Sequence, residues 1–318
     1  MSFLGSGVFL GFLPKPFKIL AAPLATLPNR KYEKAFVRLV RPGIEKRLKE
    51  HEQRMASNPE KTALDPEPND FLQWTINHAM KSGDPHFYKV ETLAGLQLLL
   101  NFASIHTSTF AITHAILDLA SSKQEYIDEL RKEITTVLAA HGGTWSKQAL
   151  SKMDKLDSTM RESQRLNMPS PIGVLRRVVA QDGVTTPSGV HLPTDSVVAV
   201  NAWAIHDDEK IYGADTDQFK PLRFSEKRAD ESIDYVERAR QTWATTSAEY
   251  LAFGGGRSAC PGRFFGAAKV KMMLAYILMS YDFEMQDKRP ENFILGLNVL
   301  PPTKATIRIK RREKAPVF

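Results

Sequence analysis

Cysteine is nearly absent from this chain: its 318 residues include one, Cys260. A lone thiol cannot close a disulfide within the chain or build a multi-cysteine zinc site, and nothing in it points to an oxidising compartment. What remains for such a residue is the role of a nucleophile or of a single soft metal ligand. Long apolar runs are missing as well. The opening stretch Met1–Leu13 falls short of the roughly 20 residues a spanning helix needs, and Pro14 and Pro16 close it. The next, Ile19–Leu27, is interrupted by Pro23 and stopped by Pro28. No Lys or Arg precedes Lys15, so a secretory signal is not expected. No Gly-x-Gly-x-x-Gly follows a predicted strand, so neither flavin nor nicotinamide is expected to bind. Charge of one sign is not dominant either. Lys and Arg number 43 against 36 Asp and Glu, a net +7, which suits a basic face and not a protein that wraps a polyanion. No nucleic-acid partner is expected, and there is no internal repeat or low-complexity tract.

What is present is the composition of a globular protein. Hydrophobic residues make up 42% and charged residues 25%, which excludes disorder, collagen and disulfide scaffolds. Phe36, Leu39, Val40, Ile44 and Leu48 recur at helical spacing and predict a helix over Tyr32–Met55. A Pro/Asp-rich break, Asn58–Asp70, separates it from a short helix, Phe71–Met80, stopped by Ser82-Gly83-Asp84-Pro85. No proline occurs from His86 to Ser121, and apolar residues cover nearly every face of that stretch. The pattern predicts a long helix buried through the middle of the molecule. Further helices are expected at Lys123–Ala140 and Lys147–Leu166. Beyond Pro169 and Pro171, β-branched residues and turns over Ile172–Val200 predict short strands. An irregular stretch around Pro221, an apolar helix over Arg263–Met279 and short terminal strands complete the chain. In Arg308–Arg312, Ile309 follows Ile307 at period two, which reads as the solvated end of a strand. The expected fold is mainly α with a small β-sheet, in one domain over 1–318.

Four constellations stand out. The first is Phe253-Gly254-Gly255-Gly256-Arg257-Ser258-Ala259-Cys260-Pro261-Gly262. Glycines allow close backbone approach, and Pro261 suits the first turn of the helix that follows. The sulfur then lies at a helix N-terminus, where free N–H groups favour an anion. A buried inert cysteine has no use for such a loop. The second is Glu162-Ser163-Gln164-Arg165, whose charged ends are three apart and adjacent on a helix. By itself such a pair reads as a solvated surface bridge. The third is Phe219-Lys220-Pro221-Leu222-Arg223-Phe224, a turn with buried aromatics. The fourth is Ala103-Ser104-Ile105-His106-Thr107-Ser108-Thr109 inside the long helix. Polar groups in a helix buried on all sides are costly unless satisfied. Ser and Thr can bond back to the preceding turn; His106 has no such escape.

In this order the four motifs resemble the cytochrome P450 family of haem-thiolate monooxygenases. The resemblance covers roughly Tyr32 to the C-terminus (32–318), and Cys-Pro-Gly-Arg-Phe-Phe and Ile-His-Thr are similar to filamentous-fungal members. It implies the C-terminal part of the P450 fold, incomplete at the N-terminus because the anchor and early helices precede the region matched. It places Cys260 as the axial thiolate of haem b, the iron ligand, with Phe253 and Gly254 against the ring. The propionates are assigned to Arg257, Arg176 or Arg177, with the choice left open. Thr107 falls at the family's oxygen-activation position, beside His106 as a proton source, imidazole being the side chain that titrates near neutrality. Glu162, Arg165 and Arg223 form the structural ion triad. The sulfur is expected to face the long helix across a haem-sized slot.

The resemblance further implies O2, a hydrophobic small-molecule substrate and an electron donor of the NADPH-cytochrome P450 reductase type. Arg257, Arg263, Lys269 and Lys271 are read as the basic patch that docks it. Ala103, Ile172, Gly173, Val174 and the Ile294–Val299 turn are expected to line the substrate pocket, in a fungal secondary-metabolite pathway of terpenoid, alkaloid or polyketide type. The alternative is a non-catalytic remnant that holds haem weakly or not at all. The family implies the cytosolic face of the endoplasmic reticulum; without a spanning anchor, a cytoplasmic or peripheral location is expected.

Overall fold

The computed structural model describes residues 9–56 and 66–313. The first eight residues of the opening apolar stretch, and residues 58–65 of the Pro/Asp-rich break, lie outside the described residues. The chain divides into two compact units, residues 1–105 and 106–318.

The first unit opens with α1 (Lys15–Ala25) and α2 (Leu27–Ala56). Helix α2 starts five residues ahead of the expected Tyr32. Pro28 begins it instead of blocking it, because the first-turn N–H that proline lacks has no partner in a helix anyway. Helix α3 (Phe71–Ser82) is capped by Asp70, which accepts from the Gln73 N–H at 2.9 Å, and ends at Gly83 in the left-handed conformation, φ 69°. Ile44, Ile76, Leu93 and Ala94 form this unit's core.

Helix α4 (Val90–Ala120) is the long helix. It starts after His86–Lys89, which form turns, and it is not buried all round as expected. Among the described residues, Leu99 and Ile105 are 63% and 56% exposed. Its first turn, with Leu93 and Ala94, and its C-terminal part, with Ile112, Ala115 and Leu119, are each sunk in a core, while the stretch between them is largely exposed. An all-round apolar pattern says that a surface favours cover; it does not say what supplies that cover.

The second unit contains α5 (Gln124–Ala140), α6 (Lys147–Ser151) and α7 (Asp154–Leu166). The single helix expected over Lys147–Leu166 is two. The Glu133 carboxylate on α5 accepts the N–H groups of Lys155 and Leu156 at 2.7 and 2.9 Å, so a new helix N-terminus is satisfied there. Strand β1 (Ile172–Arg177) pairs antiparallel with β4 (Val197–Asn201), and β2 (Val184–Thr185) with β3 (His191–Leu192). The stretch read as irregular holds α8 (Ala202–His206), α9 (Glu209–Tyr212), α10 (Arg223–Ala229) and α11 (Tyr235–Ala239). Side chains of Asn201, Asp208 and Asp234 cap three of these helices, which is how such short pieces persist. Last come α12 (Arg263–Ser280), the pair β5 (Tyr281–Phe283) with β8 (Ile309–Arg311), and the hairpin β6 (Phe293–Leu295) and β7 (Asn298–Leu300). Ile309–Arg311 is exposed throughout, the solvated strand end that the charges suggested. The core joins Ile127, Leu130 and Ile134 of α5, Leu156 and Met160 of α7, Leu274 and Leu278 of α12, Trp243 and Tyr250.

Candidate functional site

The glycine loop closes on itself. The Cys260 N–H donates to the Phe253 carbonyl at 2.8 Å, and the Gly254 N–H to the Leu251 carbonyl at 2.8 Å. Gly254 and Gly256 both take positive φ, 73° and 61°, which a side chain would strain. Phe253 is partly buried against the main core, its ring 5.6 Å from that of Trp243. One end of the loop is therefore packed while the Cys260 thiol is exposed. Pro261 is not in the first turn: Gly262 is the cap and the helix begins at Arg263, so Cys260 lies two residues ahead of the cap. Among the described residues no cluster of three His, Cys, Asp or Glu could hold a metal. The donor set here is thus one exposed, soft sulfur in a glycine-lined loop, which fits a haem iron held by a single thiolate.

The triad is assembled. Glu162 is fully buried and takes a bidentate pair from Arg165, Nε to Oε2 at 2.8 Å and Nη2 to Oε1 at 2.9 Å. Arg223 Nε donates to Glu162 Oε1 at 3.0 Å. The spare guanidinium protons reach carbonyls: Arg165 to His206 and Thr216, Arg223 to Tyr212 and Asp215. Sequence reasoning missed a fourth member. Asp215 accepts from Arg223 at 2.7 Å and also pairs with Lys220; these cations pull its carboxyl down to about 2. It lies in a loop, where spacing carries no signal.

Two further buried groups were also missed. Arg161 lies between the Tyr250 and Phe224 rings, 4.0 and 4.6 Å from their centroids, and donates to the carbonyls of Arg240, Thr242 and Thr245. His114 and Asp118 of α4 both bind Arg289, and Asp118 also accepts from Ser163 and Asn167. Burial, aided by the Arg289 charge, pushes His114 down to about 3. Asn292, bonded to Arg289 and Asn167, ties this clasp to the foot of the β6–β7 hairpin.

The remaining expected residues are distributed as follows. Ile172, Gly173 and Val174 are half-buried in β1, and Val174 packs against the small core of Met168, Ala202 and Leu251. Val174 has φ 54°, left-handed for a β-branched residue, at a shift in the β1–β4 register. Arg177 pairs with Asp195 at 3.3 Å, and Arg176 donates to the Leu175 carbonyl. Arg257 is exposed. Ala103, His106 and Thr107 are all exposed, so the expected burial penalty on that polar cluster does not arise. His106 meets Phe110 edge-on, with ring centroids 6.4 Å apart. Ile294 is exposed at the hairpin while Val299 is buried. Lys271 is not part of a basic patch. It is buried, its ammonium 3.0 Å from Asp157 and donating to the Leu150 carbonyl at 2.8 Å. Of the other three, Arg257 is exposed and Arg263 and Lys269 are half-buried, with Arg263 stacked over Phe264 at 4.4 Å. Among the described residues no helix is long and apolar enough to cross a membrane.

Comparison with known proteins gives one answer. The family model described as Cytochrome P450 matches residues 9–309, opening ahead of Tyr32. Cytochrome P450 monooxygenase 151 of Postia placenta is 41% identical over 248 residues, 77% of this chain and 48% of that protein. Cytochrome P450 monooxygenase 103 of the same fungus is 36% identical over 312 residues, 96% of this chain and 58% of its own. Cytochrome P450 monooxygenase gloP of Glarea lozoyensis is 33% identical over 319 residues, 97% and 58% respectively. The chain thus spans about half the length of the curated relatives it matches.

Proposed function

The chain belongs to the cytochrome P450 family, and from this we propose that it acts as a haem-thiolate monooxygenase on a hydrophobic small molecule. It would use O2 and electrons from a separate reductase, of the NADPH-cytochrome P450 reductase type. A role in fungal secondary metabolism is part of the same reading. The observation that carries it is the pairing of an exposed Cys260 in a self-closed glycine loop with the buried Glu162–Arg165–Arg223 cluster. When bound, haem would supply the oxygen chemistry, with the Cys260 thiolate as the ligand that this chain would offer to its iron.

The chain's own residues do the rest. Cys260 supplies the sulfur, and the loop's hydrogen bonds hold it outward. Arg257 is our choice for a haem carboxylate: it makes no hydrogen bond or ion pair among the described residues, whereas Arg177 is engaged by Asp195. Arg176, whose partner is only a neighbouring carbonyl, is the second. Thr107 and His106 handle protons on the oxygen side. Half-buried Ile172, Gly173 and Val174 exclude water and, with Ile294, orient an apolar substrate. Arg257, Arg263 and Lys269 meet an acidic reductase surface.

The test is the visible spectrum of the purified, haem-loaded chain, reduced under carbon monoxide. A thiolate-type spectrum is expected. Absence of haem uptake, or a spectrum of another ligand type, overturns the reading.

A further inference from the structure

Among the described residues, His206 is the one buried histidine bonded both to Arg165 and to the Leu251 N–H. It closes α8 and is 2% exposed. Its backbone carbonyl accepts Arg165 Nη1 at 2.7 Å. Its ring works in the opposite direction. Nε2 lies 2.9 Å from the Leu251 backbone N, which can only donate, so Nε2 is the acceptor. The proton of the neutral ring is then on Nδ1, which donates to the Arg165 carbonyl at 3.2 Å. The Tyr250 ring lies flat on the imidazole, centroids 5.3 Å apart and 10° from parallel. Tyr250 is in turn covered by the Arg161 guanidinium. Tyr212 meets the imidazole edge-on at 6.4 Å. The plane and the tautomer of this ring are both determined.

Leu251 is the root of the cysteine loop. Its carbonyl accepts the Gly254 N–H, and two residues further Phe253 accepts the Cys260 N–H. We propose that His206 is a positioning residue, which ties the root of the Cys260 loop to the Glu162–Arg165–Arg223 cluster through its two ring nitrogens. The inference rests on the haem-thiolate reading for its purpose, but not for its geometry. His206 touches neither substrate nor sulfur; it acts through Leu251. The cluster thereby does more than pin its own helix. It reaches the loop by a chain of named hydrogen bonds.

The two nitrogens can be separated by substitution. Asparagine places its amide at the Nδ1 position and can keep the bond to Arg165, but it does not reach Leu251. Glutamine extends to the Nε2 position and offers an oxygen to the Leu251 N–H. The experiment is amide hydrogen exchange, read at Leu251 by NMR or mass spectrometry on the haem-loaded chain, for wild type, His206→Asn and His206→Gln. The Leu251 amide is expected to be protected in wild type. A buried donor stripped of its acceptor opens more readily, so exchange in His206→Asn is expected to be faster by about tenfold or more. In His206→Gln it is expected within about threefold of wild type. Equal protection in all three proteins, or equal loss in both variants, overturns the assignment. So does an unprotected Leu251 amide in wild type, a result that needs no variant to fold. The same exchange is also read on the chain without added haem, so failure here and failure of the haem reading are distinguishable.

Discussion

Replacing Cys260 by serine exchanges a soft, readily ionised sulfur for a hard hydroxyl of nearly the same size. The side chain is exposed and packs in no core, so Cys260→Ser is expected to keep wild-type helix content by circular dichroism. The thiolate-type spectrum and turnover are expected to vanish. Retained turnover would make the cysteine structural. The buried histidines give a second residue-scale outcome, in pH. Burial, then the neighbouring Arg165 and Arg161 charges, takes His206 down to about 4 from an ordinary 6.5. The Arg165 carbonyl opposes this shift, and Asp207 and Asp217 stand at the cleft beside the ring. His114 is lower still, at about 3. Both are therefore neutral in the folded chain where the unfolded chain is already taking up protons. Their contribution to stability is full above about pH 6.5 and is lost as pH falls toward 4. At about pH 5 each has given up on the order of 2 kcal/mol. Denaturant titrations at neutral pH and about pH 5 are expected to differ by a few kcal/mol. An unchanged midpoint would mean these rings titrate normally.

At the scale of the element, α7 is the informative case. Its sequence, Asp154-Lys155-Leu156-Asp157-Ser158-Thr159-Met160-Arg161-Glu162-Ser163-Gln164-Arg165-Leu166, reads as a solvated surface helix, yet every residue from Leu156 to Arg165 is buried. A polar helix can be buried only if its groups are satisfied. Asp157 accepts from Lys271 and the Trp243 N–H; Ser158 accepts the Phe224 N–H; Thr159 bonds back to the Lys155 carbonyl; Gln164 takes the Trp243 indole. Removing one charge from such a set leaves its partners buried and unpaired. Glu162→Ala leaves the Arg165 guanidinium buried without a carboxylate and Arg223 with Asp215 alone, and is expected to destabilise by about 3–5 kcal/mol, seen as loss of soluble expression. A folded, haem-replete Glu162→Ala protein would show that the ion cluster is dispensable. Glu162 and Arg165 were legible as a motif from their spacing of three. Asp215, Arg161 and the Asp118–Arg289 clasp were not, because Asp215 lies in a loop, the Arg240 carbonyl that Arg161 binds is 79 positions away, and Arg289 is 171 positions from Asp118. No local pattern encodes such pairings.

At the scale of the molecule, apolar exposure stands out in the first unit. Phe12, Ile19, Leu20 and Leu24, in and before α1, are 84%, 76%, 74% and 71% exposed. Large apolar side chains exposed so close together in sequence are an association signal, since burying them gains roughly 25 cal/mol per Å2. The chain is expected to self-associate with rising concentration. Sedimentation velocity over a concentration series checks this, and replacing Phe12, Leu20 and Leu24 with serine is expected to suppress it. A single monomeric boundary at all concentrations would count against the patch.

By itself the sequence determined the helical character, the place of the small strands, the cysteine loop and the ends of α12 to within a residue. Each of these depends on neighbours along the chain: helical periodicity, proline and glycine punctuation, β-branched runs. The tertiary structure alone decided burial and partnership. It exposed Thr107 and His106 where an apolar helix promised cover, sank Lys271 in a core against Asp157, and split Lys147–Leu166 by a carboxylate from α5. It also joined His206 to Leu251 across 45 positions. Those outcomes follow from which surfaces meet in space, and a group's partner there is set by the packing of distant segments, to which one-dimensional spacing is blind.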